Sequence, residues 1–170
     1  TLQNWFSNTA YRIDEVRFSD GTTWGADTLE QMVPTQATPG NDYLEGTALA
    51  DTIDGLDGHD TILGNEGDDQ LAGSGGNDTL YGGAGADTLE GGDGHDALYG
   101  NDGADVFDGG LGNDRLQGDV GSDVYRFGPG SGSDTIYDYD TTVGNVDRVE
   151  MAVGLNTSDV TVSRDLYHLY

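Results

Sequence analysis

The chain contains no cysteine and no lysine, and its apolar stretches are short. Without cysteine it has neither a disulfide framework nor a thiolate metal site. Six arginines face 32 acidic residues, and the net charge of −26 excludes binding to the phosphates of nucleic acid. It also argues against binding to anionic membranes. No apolar run approaches the ~18 residues of a membrane-spanning helix, and we expect no signal peptide from the first residues, which lack a charged start and an apolar stretch.

Aspartate and glycine are abundant instead, and from residue 37 to 126 they recur with a period of nine. A regular repeat reads Gly82-Gly-Ala-Gly-Ala-Asp87-Thr-Leu-Glu90. Glycine holds the fourth position in nine of the ten repeats, the exception being Leu49. The sixth position is always aspartate: Asp42, Asp51, Asp60, Asp69, Asp78, Asp87, Asp96, Asp105, Asp114 and Asp123. The eighth is always large and apolar or aromatic: Leu44, Ile53, Ile62, Leu71, Leu80, Leu89, Leu98, Phe107, Leu116 and Tyr125. A longer repeat follows and places Asp134 two residues before Ile136.

This period predicts an all-β chain in which each repeat forms one turn and one short strand. Glycine in the turns permits positive φ and close approach of backbones. The residues after each aspartate alternate as in a strand, with one apolar side chain directed inward. Two repeats then close one coil of about 18 residues, and successive coils stack at about 4.8 Å, the spacing of hydrogen-bonded strands.

The repeats resemble the glycine-aspartate nonapeptides of RTX (repeats-in-toxin) proteins, whose motif is GGxGxDxUx with U a large apolar residue. The resemblance implies a right-handed parallel β-roll, a type of β-solenoid, with calcium bound in the turns. We expect this roll at 37–136, with small capping segments at 1–36 and 137–170. The N-terminal segment is predicted to hold short strands and a short helix near 27–33, where Asp27 and Glu30 form a capping box.

Stacking of the coils places the aspartates in two ladders. The first ladder contains Asp42, Asp60, Asp78, Asp96, Asp114 and Asp134, and the second contains Asp51, Asp69, Asp87, Asp105 and Asp123. Two charges about 5 Å apart repel by about 0.9 kcal/mol in water and by ~3 kcal/mol at an effective dielectric of 20. We therefore expect the chain to stay unfolded until a cation neutralises both ladders.

Calcium fits these residues best, because it takes six to eight oxygens and mixes carboxylates with backbone carbonyls. Magnesium prefers a tighter octahedron, and zinc favours histidine or cysteine. The resemblance implies that each ion bridges two turns of one ladder, which gives eight or nine ions. Leu49 makes the ion between Asp51 and Asp69 the least favoured. The glycines expected to contribute are Gly55, Gly58, Gly64, Gly67, Gly73, Gly76, Gly82, Gly85, Gly91, Gly94, Gly100, Gly103, Gly109 and Gly112.

The composition of the chain also admits a different interpretation. Its composition alone favours a disordered acidic linker, but such a linker has no reason to place an apolar residue two positions after every aspartate.

His59 and His95 precede repeat aspartates and are interpreted as turn residues rather than ligands. The sequence contains no GxSxG, HExxH or phosphate-loop motif, so we expect no catalytic residue in this chain and no enzyme activity of its own.

The flanks indicate a wider context. Asn4-Trp5-Phe6 and the stretch from Phe18 to Trp24 resemble the end of a spacer between repeat blocks of haemolysin-type calcium-binding proteins, and 146–170 resembles its start. This implies neighbouring repeat blocks in a longer parent chain. The expected function is a module that folds on calcium outside the cell, in a large toxin or adhesin exported by the type I secretion machinery of a Gram-negative bacterium. The alternative is an accessory module of a secreted lipase, protease or polysaccharide-modifying enzyme.

Overall fold

The computed structural model describes residues 15–25 and 36–155, and in those ranges every regular element is a β-strand. The chain there contains no helix that could cross a membrane. A short antiparallel hairpin comes first, formed by β1 (Glu15–Arg17) and β2 (Thr23–Gly25). All later strands belong to two six-stranded sheets.

Consecutive strands belong alternately to the two sheets, and each repeat contributes one strand. One sheet contains β3 (Tyr43–Glu45), β5 (Thr61–Glu66), β7 (Thr79–Ala84), β9 (Ala97–Asp102), β11 (Arg115–Val120) and β13 (Thr135–Tyr137). The other contains β4 (Thr52–Asp54), β6 (Gln70–Gly75), β8 (Thr88–Gly94), β10 (Val106–Gly112), β12 (Val124–Phe127) and β14 (Arg148–Met151). Each strand is hydrogen-bonded to the strand two positions along the chain.

The pairing is parallel, and its register equals the length of two repeats. Ile62 lies beside Leu80, and Leu80 lies beside Leu98, each eighteen residues apart. The same spacing joins Leu71 to Leu89 in the other sheet. The expected β-roll of stacked 18-residue coils is therefore confirmed, as is the all-β class.

The core is a double column of the eighth-position side chains. All ten are at most 4% exposed, because a parallel strand of this kind turns every second side chain inward. Phe107 and Tyr125 stack on each other with ring centroids 5.1 Å apart. Leucine and isoleucine fill most of the remaining length, so each coil adds two apolar side chains to one continuous core.

The N-terminal hairpin agrees with part of the sequence prediction. The N–H of Phe18 donates a 2.8 Å hydrogen bond to the carbonyl of Thr22 across the turn, and Phe18 packs edge-to-face on Trp24 with ring centroids 4.6 Å apart. The predicted helix near 27–33 lies outside the described residues, as do Trp5 and Phe6. The capping role of 1–36 stays a prediction.

At the other end the stacking continues past residue 136. β14 pairs with β12 in the register of the preceding coils, although twenty-four residues separate Val124 from Arg148. Between β13 and β14 runs an irregular segment in which Asp140 accepts hydrogen bonds from the backbone N–H of Thr142 and of Gly121. A cap built from 137–170 remains a prediction, since residues beyond 155 lie outside the described ranges.

Candidate metal centre

The repeat aspartates point into the roll rather than into solvent. The sixth position is two residues before the eighth, so both side chains lie on the same, inward face of the strand. From Asp60 to Asp123 the eight aspartates are at most 3% exposed. Carboxylates are almost never buried to this degree without a partner for the charge, so the partners of each oxygen decide what the site can do.

One oxygen of each carboxylate serves the fold. Oδ1 of Asp60 accepts a 2.8 Å hydrogen bond from the backbone N–H of Asp42, and Oδ1 of Asp78 accepts one of 2.8 Å from that of Asp60. The same link recurs down the second ladder, where Asp69 accepts from Asp51 at 2.7 Å. These bonds confirm that the aspartates form two ladders with one rung per coil, as the period predicts.

The other oxygen has no partner. Oδ2 is buried without any hydrogen-bond donor in eight aspartates: Asp60, Asp69, Asp78, Asp87, Asp96, Asp105, Asp114 and Asp123. Four of them belong to the first ladder and four to the second. A buried carboxylate oxygen without a partner carries a large desolvation cost, and a cation would remove that cost.

Glycine at the first position leaves room for that cation. A Cβ built on Gly55 would lie 2.5 Å from Oδ2 of Asp60 and 3.0 Å from the carbonyl oxygen of Gly73 in the next coil. On Gly73 and Gly91 the same atom would lie 2.5 Å from Oδ2 of the repeat's own aspartate. Any side chain at this position would fill the space beside the unpartnered oxygen. The first-position glycines therefore keep a cradle open between Oδ2 and a backbone carbonyl.

Glycine at the fourth position has a different role. Gly76 has φ +129°, and a Cβ on it would overlap the carbonyl oxygen of Gly58 in the preceding coil. Its N–H donates a 2.8 Å hydrogen bond to the carbonyl of Asp93. Only glycine tolerates both this backbone conformation and this contact, so the fourth position allows the turns to stack with their carbonyl groups in line.

Burial also changes the acidity of the aspartates. Loss of hydration raises the pKa of Asp69 and Asp96 to about 6, and that of Asp105 to about 7. A hydrogen bond from the backbone of the preceding rung opposes the shift, while the charges of neighbouring aspartates add to it. The fold thus disfavours the charged form of these carboxylates, which is the form that binds a metal ion.

Asp42 and Asp51, the first members of the two ladders, differ from the rest. Oδ2 of Asp51 accepts hydrogen bonds from the backbone N–H of Thr47 at 2.6 Å and from its hydroxyl at 2.8 Å. Oδ2 of Asp42 accepts from the N–H of Thr38 at 2.6 Å. Both aspartates were predicted ligands, and in each of them Oδ2 accepts hydrogen bonds from the protein.

The last members of the ladders lie at irregular spacing. Oδ1 of Asp134 accepts a 2.9 Å hydrogen bond from the N–H of Asp114, twenty residues earlier. Oδ1 of Asp147 accepts one of 3.0 Å from the N–H of Asp123, twenty-four residues earlier. Asp147 was not among the residues predicted for the second ladder. Its signal was Val149 two residues later, the same spacing of aspartate and apolar residue as in every repeat.

The two turn histidines have structural partners. Nδ1 of His59 accepts a 2.7 Å hydrogen bond from the backbone N–H of Asn77, and Nδ1 of His95 accepts one of 2.9 Å from that of Asn113. Asn77 in turn accepts a 2.9 Å bond from the N–H of His95. These contacts link successive turns and agree with the interpretation of both histidines as turn residues.

The residues present fit calcium. Within 15–25 and 36–155, no three acidic or histidine side chains gather into a group that could hold a metal ion by themselves. An ion at Oδ2 must therefore complete its shell with backbone carbonyls, such as that of Gly73 beside Asp60. Mixed carboxylate and carbonyl oxygens are typical ligands of calcium, whereas zinc sites are built mainly from histidine nitrogen and cysteine sulfur.

Comparison with known proteins gives matches along most of the chain. Four matches to the model described as RTX calcium-binding nonapeptide repeat cover residues 36–71, 63–98, 90–125 and 99–136. Residues 1–28 match the model of the haemolysin-type calcium binding protein related domain. A comparison with curated proteins finds no match.

Proposed function

Because the chain belongs to the family of RTX calcium-binding nonapeptide repeats, we propose that it is a module whose folding depends on calcium. The observation that carries this proposal is the set of eight buried Oδ2 atoms without a donor. Each would remain a buried, unneutralised charge if the roll closed without cations. Calcium binding therefore contributes directly to the free energy of folding, as in other proteins whose sites exist only in the folded state.

The residues that would hold the ions follow from the cradles. Each of the eight aspartates supplies one carboxylate oxygen, and the first-position glycine of the next coil supplies a carbonyl where the roll is regular, as at Gly73 and Gly91. Bound calcium would supply the positive charge that each cradle lacks. Eight free Oδ2 atoms favour eight ions, the lower of the two numbers expected from the sequence.

Dependence on calcium suits export of the chain. Calcium is scarce in a bacterial cytosol, so the acidic chain would stay unfolded there and pass through the type I secretion machinery. Extracellular modules bind calcium with dissociation constants of about 10⁻⁴–10⁻³ M, so the chain would fold after release. We place it outside the cell or at the cell surface of a Gram-negative bacterium, in a large toxin or adhesin. The match of 1–28 supports neighbouring repeat blocks in the parent chain.

Circular dichroism of the full 170-residue chain tests calcium-dependent folding. In excess chelator at neutral pH the spectrum should be that of a disordered chain, and millimolar calcium should produce β-structure in a cooperative transition. Magnesium at the same concentration should be much less effective, because it keeps its waters and prefers a tighter octahedron. A strong β-sheet signal in excess chelator would contradict the proposal.

Two matched substitutions test whether the inward carboxylates are the ligands. Asp105→Asn retains a carbonyl oxygen that can accept from Asp87, but removes the negative charge of a buried, partnerless Oδ2. Asp108→Asn removes the same charge from an exposed residue three positions later. The first should raise the calcium midpoint of folding several-fold more than the second. Equal midpoints in both variants would mean that total charge, rather than the cradle, governs folding.

A further inference from the structure

Among the ten repeat aspartates, Asp42 and Asp51 are the two whose Oδ2 has a donor, and they share one sequence feature. Thr38 and Thr47, which supply the donors, each lie four residues before their aspartate, at the second position of the repeat. Threonine occurs at the second position in no other repeat. The partner of Oδ2 therefore changes together with the residue at this position.

Backbone conformation explains the difference. The second residue of the other eight repeats has positive φ, between 63° and 112°, at Leu56, Asn65, Ser74, Gly83, Gly92, Asn101, Gly110 and Asp119. Thr38 and Thr47 do not have positive φ. A β-branched side chain crowds the backbone strongly in that region. In these two repeats the turn instead directs the N–H of the second residue at Oδ2.

The cradle of Asp51 shows the effect on the carboxylate. A Cβ built on Gly46 would lie 3.0 Å from Oδ2 of Asp51, compared with 2.5 Å for Gly55 and Asp60. Oδ2 of Asp51 therefore lies farther from its first-position glycine than Oδ2 of Asp60 does, and it is hydrogen-bonded to Thr47. At Asp42 the first position is Ala37 instead of glycine, and this residue packs against the hydrophobic core.

We propose that the second residue of each repeat decides whether that repeat binds an ion, and that Thr38 and Thr47 close the first rung of each ladder in place of calcium. This inference rests on the proposed function and refines it. Two charge-assisted hydrogen bonds satisfy Oδ2 of Asp51, so this oxygen has no need of a cation. A residue that adopts positive φ at the second position leaves Oδ2 free and the site open.

The inference is tested by counting the calcium ions bound per full-length chain in equilibrium dialysis at saturating calcium. Thr47→Gly removes the hydroxyl and permits positive φ, and it should bind one ion more than the unsubstituted chain. Ala48→Gly is the control, because it loosens the same turn at an exposed residue without touching Asp51. Its count should equal that of the unsubstituted chain. An unchanged count in Thr47→Gly would overturn the inference.

The converse change is made at Asn101, four residues before Asp105. Asn101→Thr should close that repeat and bind one ion fewer, whereas Asn101→Gly keeps positive φ available and should leave the count unchanged. Equal counts for these two variants would contradict the inference. If Asn101→Thr does not regain β-structure at saturating calcium, the ion counts of Thr47→Gly and Ala48→Gly decide whether the inference holds. An unsubstituted chain that binds no calcium would instead refute the proposed function itself.

Discussion

The backbone N–H of Asp87 donates a 2.8 Å hydrogen bond to Oδ1 of Asp105, the next rung of the second ladder. The carbonyl of Asp87 accepts a bond of the same length from the N–H of Val106. Each aspartate is thus fixed to the next coil through its own backbone and to the previous coil through its side chain. Because one oxygen serves the fold, only the other is available to a cation. Substitution of such an aspartate by asparagine keeps a carbonyl oxygen that can accept the backbone hydrogen bond, but removes the charge that would bind a cation. It therefore separates the structural role of the side chain from its role as a ligand.

The strand phase can be tested at mid-roll with neighbouring residues. Leu89 is completely buried in the core, while Thr88 is exposed on the outer face. Leu89→Ala should lower the free energy of unfolding of the calcium-loaded chain by roughly 2–5 kcal/mol, through lost burial and a residual cavity. Thr88→Ala should lower it by less than about 1 kcal/mol. Denaturant unfolding at fixed calcium measures both, and equal effects would contradict the inward direction of the eighth position.

Two adjacent glycines allow an equally local test of the turns. Gly76→Ala places a methyl group against the carbonyl of Gly58 at φ +129°, so it should destabilise the roll by more than about 2 kcal/mol. Gly75→Ala meets nothing closer than Oδ1 of Asp57 at 3.2 Å, and should change stability by less than about 1 kcal/mol. Both values come from thermal or denaturant unfolding in saturating calcium. Comparable losses would mean that the turns stack differently.

Acid should partly replace calcium. Burial raises the pKa of Asp69 and Asp96 to about 6 and of Asp105 to about 7, whereas an unfolded chain has the ordinary value near 3.9. The folded form therefore binds protons more tightly than the unfolded form. Protonation stabilises the roll fully below about pH 4, and this stabilisation is lost as the pH rises through 6 to 7.

Calcium-free protein should accordingly gain β-structure between about pH 8 and pH 5, with most of the change near pH 6. Circular dichroism in buffer treated with a chelating resin follows the transition without a soluble chelator, which would lose its own affinity in acid. A spectrum that stays disordered down to pH 5 would count against buried carboxylates as the barrier to folding.

The end of the second ladder gives a further prediction. Asp147→Ala removes the acceptor of the N–H of Asp123, and leaves that donor without its partner at the last pairing of β12 with β14. The substitution should cost about 1–3 kcal/mol of unfolding free energy. Val146→Ala, at an exposed neighbour, is the control and should cost less than about 0.5 kcal/mol. If both variants are as stable as the unsubstituted chain, β14 contributes nothing to the roll.

Sequence reasoning predicted most of the roll because its two strongest signals are local. The eighth-position residues define the inward face, and the period of two repeats defines which strands pair, as Leu80 and Leu98 show. The same alternation places the sixth position inside. The sequence analysis assigned the aspartates to the turns as ligands, but did not anticipate that Oδ1 would accept a backbone N–H such as that of Asp60. That use of Oδ1 depends on the height of a coil, which no spacing along the chain reveals.

Contacts outside the period were also hidden. The hydrogen bond from Thr47 to Oδ2 of Asp51 depends on a backbone conformation. The sequence pattern indicated Leu49 instead as the residue that weakens this site. On the outer face, Arg115 lies over the ring of Tyr137 at 4.3 Å and near that of Tyr99 at 5.6 Å. Tyr99 stacks on Tyr81 with centroids 4.9 Å apart. These side chains are neighbours only because the coils stack, so their proximity required the register first.

The near identity of successive coils has a consequence for how the chain finds its alignment. A strand that slipped by one whole coil would still offer Asp78 or Asp96 the same hydrogen bond from a neighbouring rung, so the regular middle of the roll barely distinguishes correct from shifted pairing. The positions that depart from the repeat distinguish correct pairing from shifted pairing. Phe107 must meet Tyr125 to form its ring stack, Thr47 suits only the first rung, and the longer intervals before Asp134 and Asp147 fit only the last. The departures from the repeat thus act as alignment marks, and erasing them should yield misregistered rolls that still bind calcium.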